Sequence, residues 1–198
     1  MAFQDIVEGA DDGARKHRDR LIAVYIGMLA VALAICSVGG GNATKEATAR
    51  NIEASNAWAF FQAKNIRRHD LRLQIGQLEL TLETDPSLSE PARKAIEGKI
   101  AKYKKDEARL TSEPDTGEGV NELRERGKAL EVQRNLAMRK DPYFDYGQAL
   151  LQIAIVLASV AIITGGTSLL VLSGILALGG VASMLNGFTL LFSVPFIG

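Results

Sequence analysis

LIAVYIGMLAVALAICSV, Leu21 to Val38, decides the fold. It carries no Asp, Glu, Lys or Arg and lies inside a charge-free tract covering residues 21–44. A hydrocarbon core of about 30 Å is crossed by about 20 apolar residues in a helix. The segment must be helical there, because lipid offers its backbone N–H and C=O groups no partners. Working outward, a second charge-free tract covers residues 146–198. As one helix it would reach roughly 80 Å, far too long for a single crossing. It predicts two spans, residues 147–163 and 168–192, joined by Thr164-Gly165-Gly166-Thr167-Ser168, the most polar and glycine-rich stretch of the tract. Pro195 stands where it would help stop the third span.

The ionic residues fill what remains. Lys plus Arg and Asp plus Glu are 23 each in 198 residues, and residues 45–145 hold 19 of the basic and 18 of the acidic ones. The neutral balance gives no long-range pull toward nucleic acid, and the segregation excludes an ordinary soluble domain. The expected fold class is all-α: an integral membrane protein with three transmembrane helices and an extramembrane, coiled-coil-like helical hairpin domain. Its parts are an N-terminal segment 1–20, a span 21–38, a charged helical domain 39–146, and spans 147–163 and 168–192. Arg15, Lys16, Arg18 and Arg20 directly precede the first span, and the nearest basic residue on its other side is Lys45. The excess of positive charge predicts a cytoplasmic N-terminus, although Arg139 and Lys140 before the second span argue the other way.

Prolines 86, 91, 114 and 142 divide the charged middle into three helical pieces. In the first, from Thr44 to about Glu83, Leu71, Ile75, Leu78 and Leu82 recur at helical spacing. Leu73 and Leu80 interrupt that stripe, so DLRLQIGQLELTL also reads as an alternating strand; the Ala-rich run upstream favours helix. The second piece starts at an N-cap, Ser89, with Pro91 in its first turn, and carries Ile96, Ile100, Tyr103 and Leu110 on one seam. EPDTGEG, residues 113–119, is a turn, and the third piece sets Val120, Leu123 and Leu130 on one face. The first piece would reach about 60 Å and the others about 33 Å each, so one leg out and two successive legs back returns the chain to its second span. Gly39-Gly40-Gly41 offers a bend after the first span.

Chemistry-bearing patterns are sparse. The histidines, His17 and His69, lie in different regions, and no Cys, His or carboxylate cluster has metal-ligand spacing. Walker, G-x-S-x-G and H-E-x-x-H motifs do not occur. No catalytic residue, metal or cofactor is therefore expected. The single cysteine, Cys36, ends LAIC, which resembles a lipoprotein box, but Ile35 stands where a small residue is needed; a buried apolar side chain is the plainer reading. The three spans lack ionisable residues, unlike most ion-coupled transporters. Gln148 and Gln152 share a face of the second span. They suit interhelical hydrogen bonds, worth about 0.6–2 kcal/mol, or the lining of a pore in a ring of subunits.

Small residues recur four apart in every span: Ala23 with Gly27, Ala30 with Ala34, Ala154 with Ala158, and Gly179, Ser183 and Gly187. Such rows let helix backbones approach closely and drive association in lipid. Outside the spans, Trp58 and Phe61 share a helical face, and Lys64, Arg68 and Arg72 form a basic stripe beside Gln62 and Arg67. This segment reads as a docking or lipid-surface site, or as an aromatic pair facing a core with a solvated basic edge.

Ala54–Leu71, ASNAWAFFQAKNIRRHDL, together with Phe144–Thr164 resembles the bacterial membrane family catalogued as domain of unknown function 4337. The motif W-x-[FY]-[FY]-Q-A-K appears here as Trp58, Phe60, Phe61, Gln62, Ala63 and Lys64. The resemblance covers most of residues 15–190 and implies the same layout: a basic lead, one span, a helical region and a two-span hairpin. Members often carry basic residues in the hairpin turn, where this chain has TGGTS. The family implies no activity. The expectation is a multi-pass protein of the bacterial inner membrane, non-enzymatic. It would be in contact with membrane lipids and would act as a homo-oligomer or as an accessory subunit of a larger membrane complex. A homo-oligomeric pore is the alternative.

Overall fold

The computed structural model describes the backbone of residues 2–193 and the side chains of residues 15–193. Pro195 lies outside the described residues. Four helices make up the described chain: α1 (Ala2–Thr84), α2 (Glu90–Thr111), α3 (Val120–Thr164) and α4 (Thr167–Thr189). α1, α3 and α4 are each long and apolar enough to cross a membrane. Packing divides the chain into two compact units, Met1–Ala47 with Asn135–Gly198, and Thr48–Arg134; α1 and α3 contribute to both.

In the first unit the core is a seam of α1, α3 and α4. Leu29, Cys36 and Ala43 of α1 meet Phe144, Leu151 and Ala154 of α3 and Ala177 and Met184 of α4. On α1 the buried residues Ile22, Leu29, Cys36 and Ala43 recur every seven positions. That repeat keeps one line of a helix facing its neighbours. Phe144 is almost wholly buried and stands edge-on to Phe188, ring centroids 4.8 Å apart. Its ring is caged by glycines. A Cβ at Gly39 would lie 2.8 Å from Phe144 Cζ, one at Gly40 3.1 Å from Phe144 Cβ, and one at Gly187 3.0 Å from Cζ. The expected bend at Gly39-Gly40-Gly41 is therefore corrected: α1 runs unbroken through all three; Gly39 is bare because the Phe144 ring occupies the space a side chain would need, and Gly40 because Phe144 Cβ and Gln148 Nε2 do.

Polar atoms of this core are paired. Ser173 Oγ donates to the Ala154 carbonyl at 2.7 Å and lies 3.1 Å from Tyr25 Oη. Ser183 Oγ donates to the Tyr143 carbonyl at 2.7 Å, and the Cys36 thiol to that of Phe144 at 3.3 Å. Such bonds contribute about 0.6–2 kcal/mol each in an apolar surround.

Pro142 does not end a helix as its position implies; it lies inside α3. A proline there removes one backbone bond and crowds the carbonyl four residues earlier. Tertiary contacts hold the turn instead: Thr44 Oγ1 donates to Asp141 Oδ1 at 2.8 Å, and Tyr143 and Phe144 are buried beside it. The α3–α4 turn is shorter than expected, only Gly165 and Gly166, with Gly165 at φ +68°. α4 stops at Thr189, where Leu190 takes a left-handed conformation (φ 49°). Asn186 then clasps the exit, donating Nδ2–H to the Phe192 carbonyl at 2.8 Å and accepting the Phe192 N–H at 2.9 Å.

In the second unit α2 and then α3 run back along α1. Glu79 pairs with Lys104, Arg72 with Glu107 and Lys64 with Glu118, and Asn51 accepts from Arg134. Rising positions on α1 thus meet falling positions on α2 and α3, so both returning helices are antiparallel to it. Residues 70–82 are helix, not strand. Ile75 is buried and Leu71, Leu78 and Leu82 are half-buried, whereas Leu73 and Leu80 are exposed. Ser89 caps α2, accepting the Ala92 N–H at 3.4 Å. Gly117, at φ +67°, makes the 113–119 turn.

Candidate functional site

Around the first span of α1 the sequence lays out three faces. One is the buried seven-residue row. The second is a ridge of large exposed side chains, Val24, Met28, Val31, Ile35 and Val38. The third is a row of small residues, Ala23, Gly27, Ala30, Ala34, Ser37 and Gly41, all exposed. Its spacing alternates four and three, so it repeats every heptad, displaced roughly 120° from the buried row at 3.6 residues per turn. It runs for about 27 Å, close to the thickness of a hydrocarbon core. A Cβ added at Gly27 or Gly41 would meet nothing within 4 Å.

Most of the small residues singled out in the other spans are used within the unit. Ala154 and Ala158 are wholly buried and Gly187 is buried. Ser183 is half-buried and bonded to Tyr143, whereas Gly179 is exposed. Ala23, Gly27, Ala30 and Ala34 thus differ from them in facing away from the seam. Ser37 and Gly41, also four apart, continue this row beyond the expected pairs, one heptad past Ala30 and Ala34.

Trp58 and Phe61 form an edge-on pair, centroids 5.5 Å apart, on the side of α1 that faces α3. The indole lies over Gly127, where a Cβ would come within 2.9 Å of Cε2, and its N–H donates to Glu131 Oε1 at 3.0 Å. Lys64 reaches Glu118 at 3.3 Å and Glu113 at 3.8 Å. Arg72 reaches Glu107 at 2.8 Å, and Arg68 donates to Asn65 Oδ1 at 2.7 Å. Gln62 and Arg67 are exposed on the remaining edge. Trp58 therefore binds α3, Lys64 the turn between α2 and α3, and Arg72 α2, while Arg68 stays on α1.

Gln148 is half-buried beside Gly40, its Nε2 3.3 Å from where a Cβ there would stand. Gln152 is exposed. Two carboxylates at the corners of the second unit are held below their ordinary range by hydrogen bonds. Asp85 accepts from the Ser87 hydroxyl and backbone N–H; Glu122 accepts from the Ser112 hydroxyl at 2.6 Å and the Glu113 N–H. Among the described residues no three His, Cys, Asp or Glu side chains converge as a metal site.

Residues 18–190, from the basic lead to the end of the hairpin, match the family model described as Domain of unknown function (DUF4337). The chain belongs to the DUF4337 family. No curated protein and no solved structure matches it. The match in this DUF4337 protein takes in the Phe144 cage, the small row of α1 and the Trp58 segment together.

Proposed function

We propose that this DUF4337 protein is a non-enzymatic subunit of the bacterial inner membrane, its N-terminus cytoplasmic. It acts as a structural or accessory component that oligomerises or docks onto a larger membrane assembly. The observation that carries this reading is the exposed row from Ala23 to Gly41. A helix that needed only lipid around it gains nothing from six small residues in heptad register. A second transmembrane helix gains close backbone contact along the whole row. Outside that row, Gln62 and Arg67 are exposed polar side chains that a partner could also contact.

The test is the mass of the detergent-solubilised protein, with identification of what co-purifies. The reading expects a mass above one copy, and its loss when Gly27 and Ala34 are both replaced by Leu. A wild-type monomer with nothing attached would refute it. The second reading, a homo-oligomeric pore, draws on Gln152, an amide exposed on a span. It expects conductance in reconstituted bilayers that Gln152→Leu abolishes.

A further inference from the structure

We propose that a groove between α1 and α4 seats one anionic phospholipid, an acyl chain between the helices and the phosphate at Arg18. The inference rests on reading the two helices as spans. The groove has a volume of about 380 Å³ and is walled by Leu21, Ile22, Tyr25, Leu170 and Gly174, with Arg18 at its end. That volume falls in the range of small-ligand sites, roughly 300–1,000 Å³.

The walls are apolar for identifiable reasons. Tyr25 turns its hydroxyl inward to Ser173, leaving its ring as the groove surface. Gly174 leaves its side of the groove open, since a Cβ there would meet nothing within 4 Å. The rim is cationic. Arg18 Nη1 donates to the Gly165 carbonyl at 3.3 Å, which ties the guanidinium to the α3–α4 turn. Its Nε and Nη2 donate to Asp19 Oδ1 at 3.2 and 3.0 Å. A guanidinium has five N–H donors, so donors remain for a phosphate oxygen. Lys16 and Arg20, two positions away on the helix, point to its other side, and Asp19 is the only acidic residue between positions 15 and 20. Arg15 precedes Arg18 by three positions and shares its helix face. α4 also begins at this rim with no side-chain cap at Gly166.

An apolar slot that ends at fixed positive charge, at the boundary of a charge-free span, matches an amphipathic anion with a hydrocarbon tail. The groove also flanks the buried row of α1 on the side opposite the small row, so subunit docking and lipid seating use different surfaces.

The experiment is native mass spectrometry of the full chain, released from detergent in an equimolar mixture of phosphatidylglycerol and phosphatidylcholine with identical chains. One phosphatidylglycerol should be retained over phosphatidylcholine by about fivefold, the factor expected of one basic side chain at a membrane surface. Arg18→Gln should bring the ratio to parity and Arg18→Lys should restore it. Gly174→Leu should lower retention of both lipids. Protection of Cys36 from alkylation reports whether the helices stay packed. Should Arg18→Gln loosen them, Gly174→Leu carries the test, because its side chain enters open space. Equal retention of the two lipids by the wild type, a preference that survives Arg18→Gln with Cys36 shielded, or unchanged retention in Gly174→Leu would each overturn the proposal. Leucines at Gly27 and Ala34 should leave the lipid ratio unaltered, which separates this result from failure of the assembly reading.

Discussion

Consider Gly39→Ala and Gly41→Ala, the same substitution two positions apart on one helix. At Gly39 the added methyl would meet Phe144 Cζ at 2.8 Å and Cδ1 at 3.0 Å. Ordinary contact begins about half an ångström farther out. The ring cannot retreat freely, because Gly187 lies on another side with only 3.0 Å to spare for a Cβ. Overpacking a close-fitted core costs about 1–3 kcal/mol. At Gly41 the methyl enters open space, so no such cost arises. The assay uses Cys36, the only cysteine, which is wholly buried beside this ring. Where closing outpaces alkylation, its labelling rate by a maleimide in mild detergent follows the opening equilibrium of the three-helix unit. Gly39→Ala should speed labelling by up to about 70-fold, the overpacking cost of about 1–3 kcal/mol less the roughly 0.5–1 kcal/mol that alanine gains over glycine in a helix, and Gly41→Ala, with that gain alone, should slow it slightly. Phe144→Ala combined with Gly39→Ala should recover part of the overpacking cost, although removal of the ring costs about 3–5 kcal/mol by itself. If the two alanine variants behaved alike, the glycines would be acting through backbone freedom and the cage would be refuted.

Three further outcomes are expected. Gly127→Ala should push the indole of Trp58, the only tryptophan, off α3 and red-shift its fluorescence, because the new methyl would stand 2.9 Å from Cε2; unchanged emission would deny the stacking. Ser173→Ala should raise Cys36 labelling by about 3- to 30-fold, since it removes the hydroxyl's bonds to the Ala154 carbonyl and to Tyr25, and interhelical bonds of this kind are worth about 0.6–2 kcal/mol each. For Glu122, hydrogen bonds lower the pKa in the folded state, so its stabilisation is complete above the ordinary carboxylate range and fades as pH falls through the lowered value. Unfolding of residues 48–134, followed by Trp58 fluorescence, should therefore turn less stable only in acid, and Ser112→Ala should flatten that dependence.

The parts of the fold set by one-dimensional pattern were legible. Two charge-free tracts of 21–44 and 146–198 foretold three apolar helices, since lipid tolerates little else. Ser89 and Gly117 announced a cap and a turn through local backbone chemistry alone. Tertiary context hid the rest. Pro142 looks like a stop because its ring opposes a helix, and nothing nearby in sequence reveals that Thr44 and Phe144 hold the turn. Three glycines in a row look flexible until Phe144 and Gln148, which crowd two of them, are known. The Trp58 segment showed its aromatic pair and its basic stripe, but not the distant partners Gly127, Glu131 and Glu118 that occupy them. The α1 row was half-read, because Gly41 lies past the expected end of the span at Val38, which left the Ser37 and Gly41 pair out of the row.

The two-glycine turn between α3 and α4 bears on how the protein is made. With Gly165 and Gly166 alone between the helices, and no charged group from Tyr146 onward, the pair has no hydrophilic loop to hold back or to drag across. Read as spans, the two helices form a hairpin short enough at its turn to enter a bilayer as one unit, with the ionic stretch of residues 45–145 directly ahead of it.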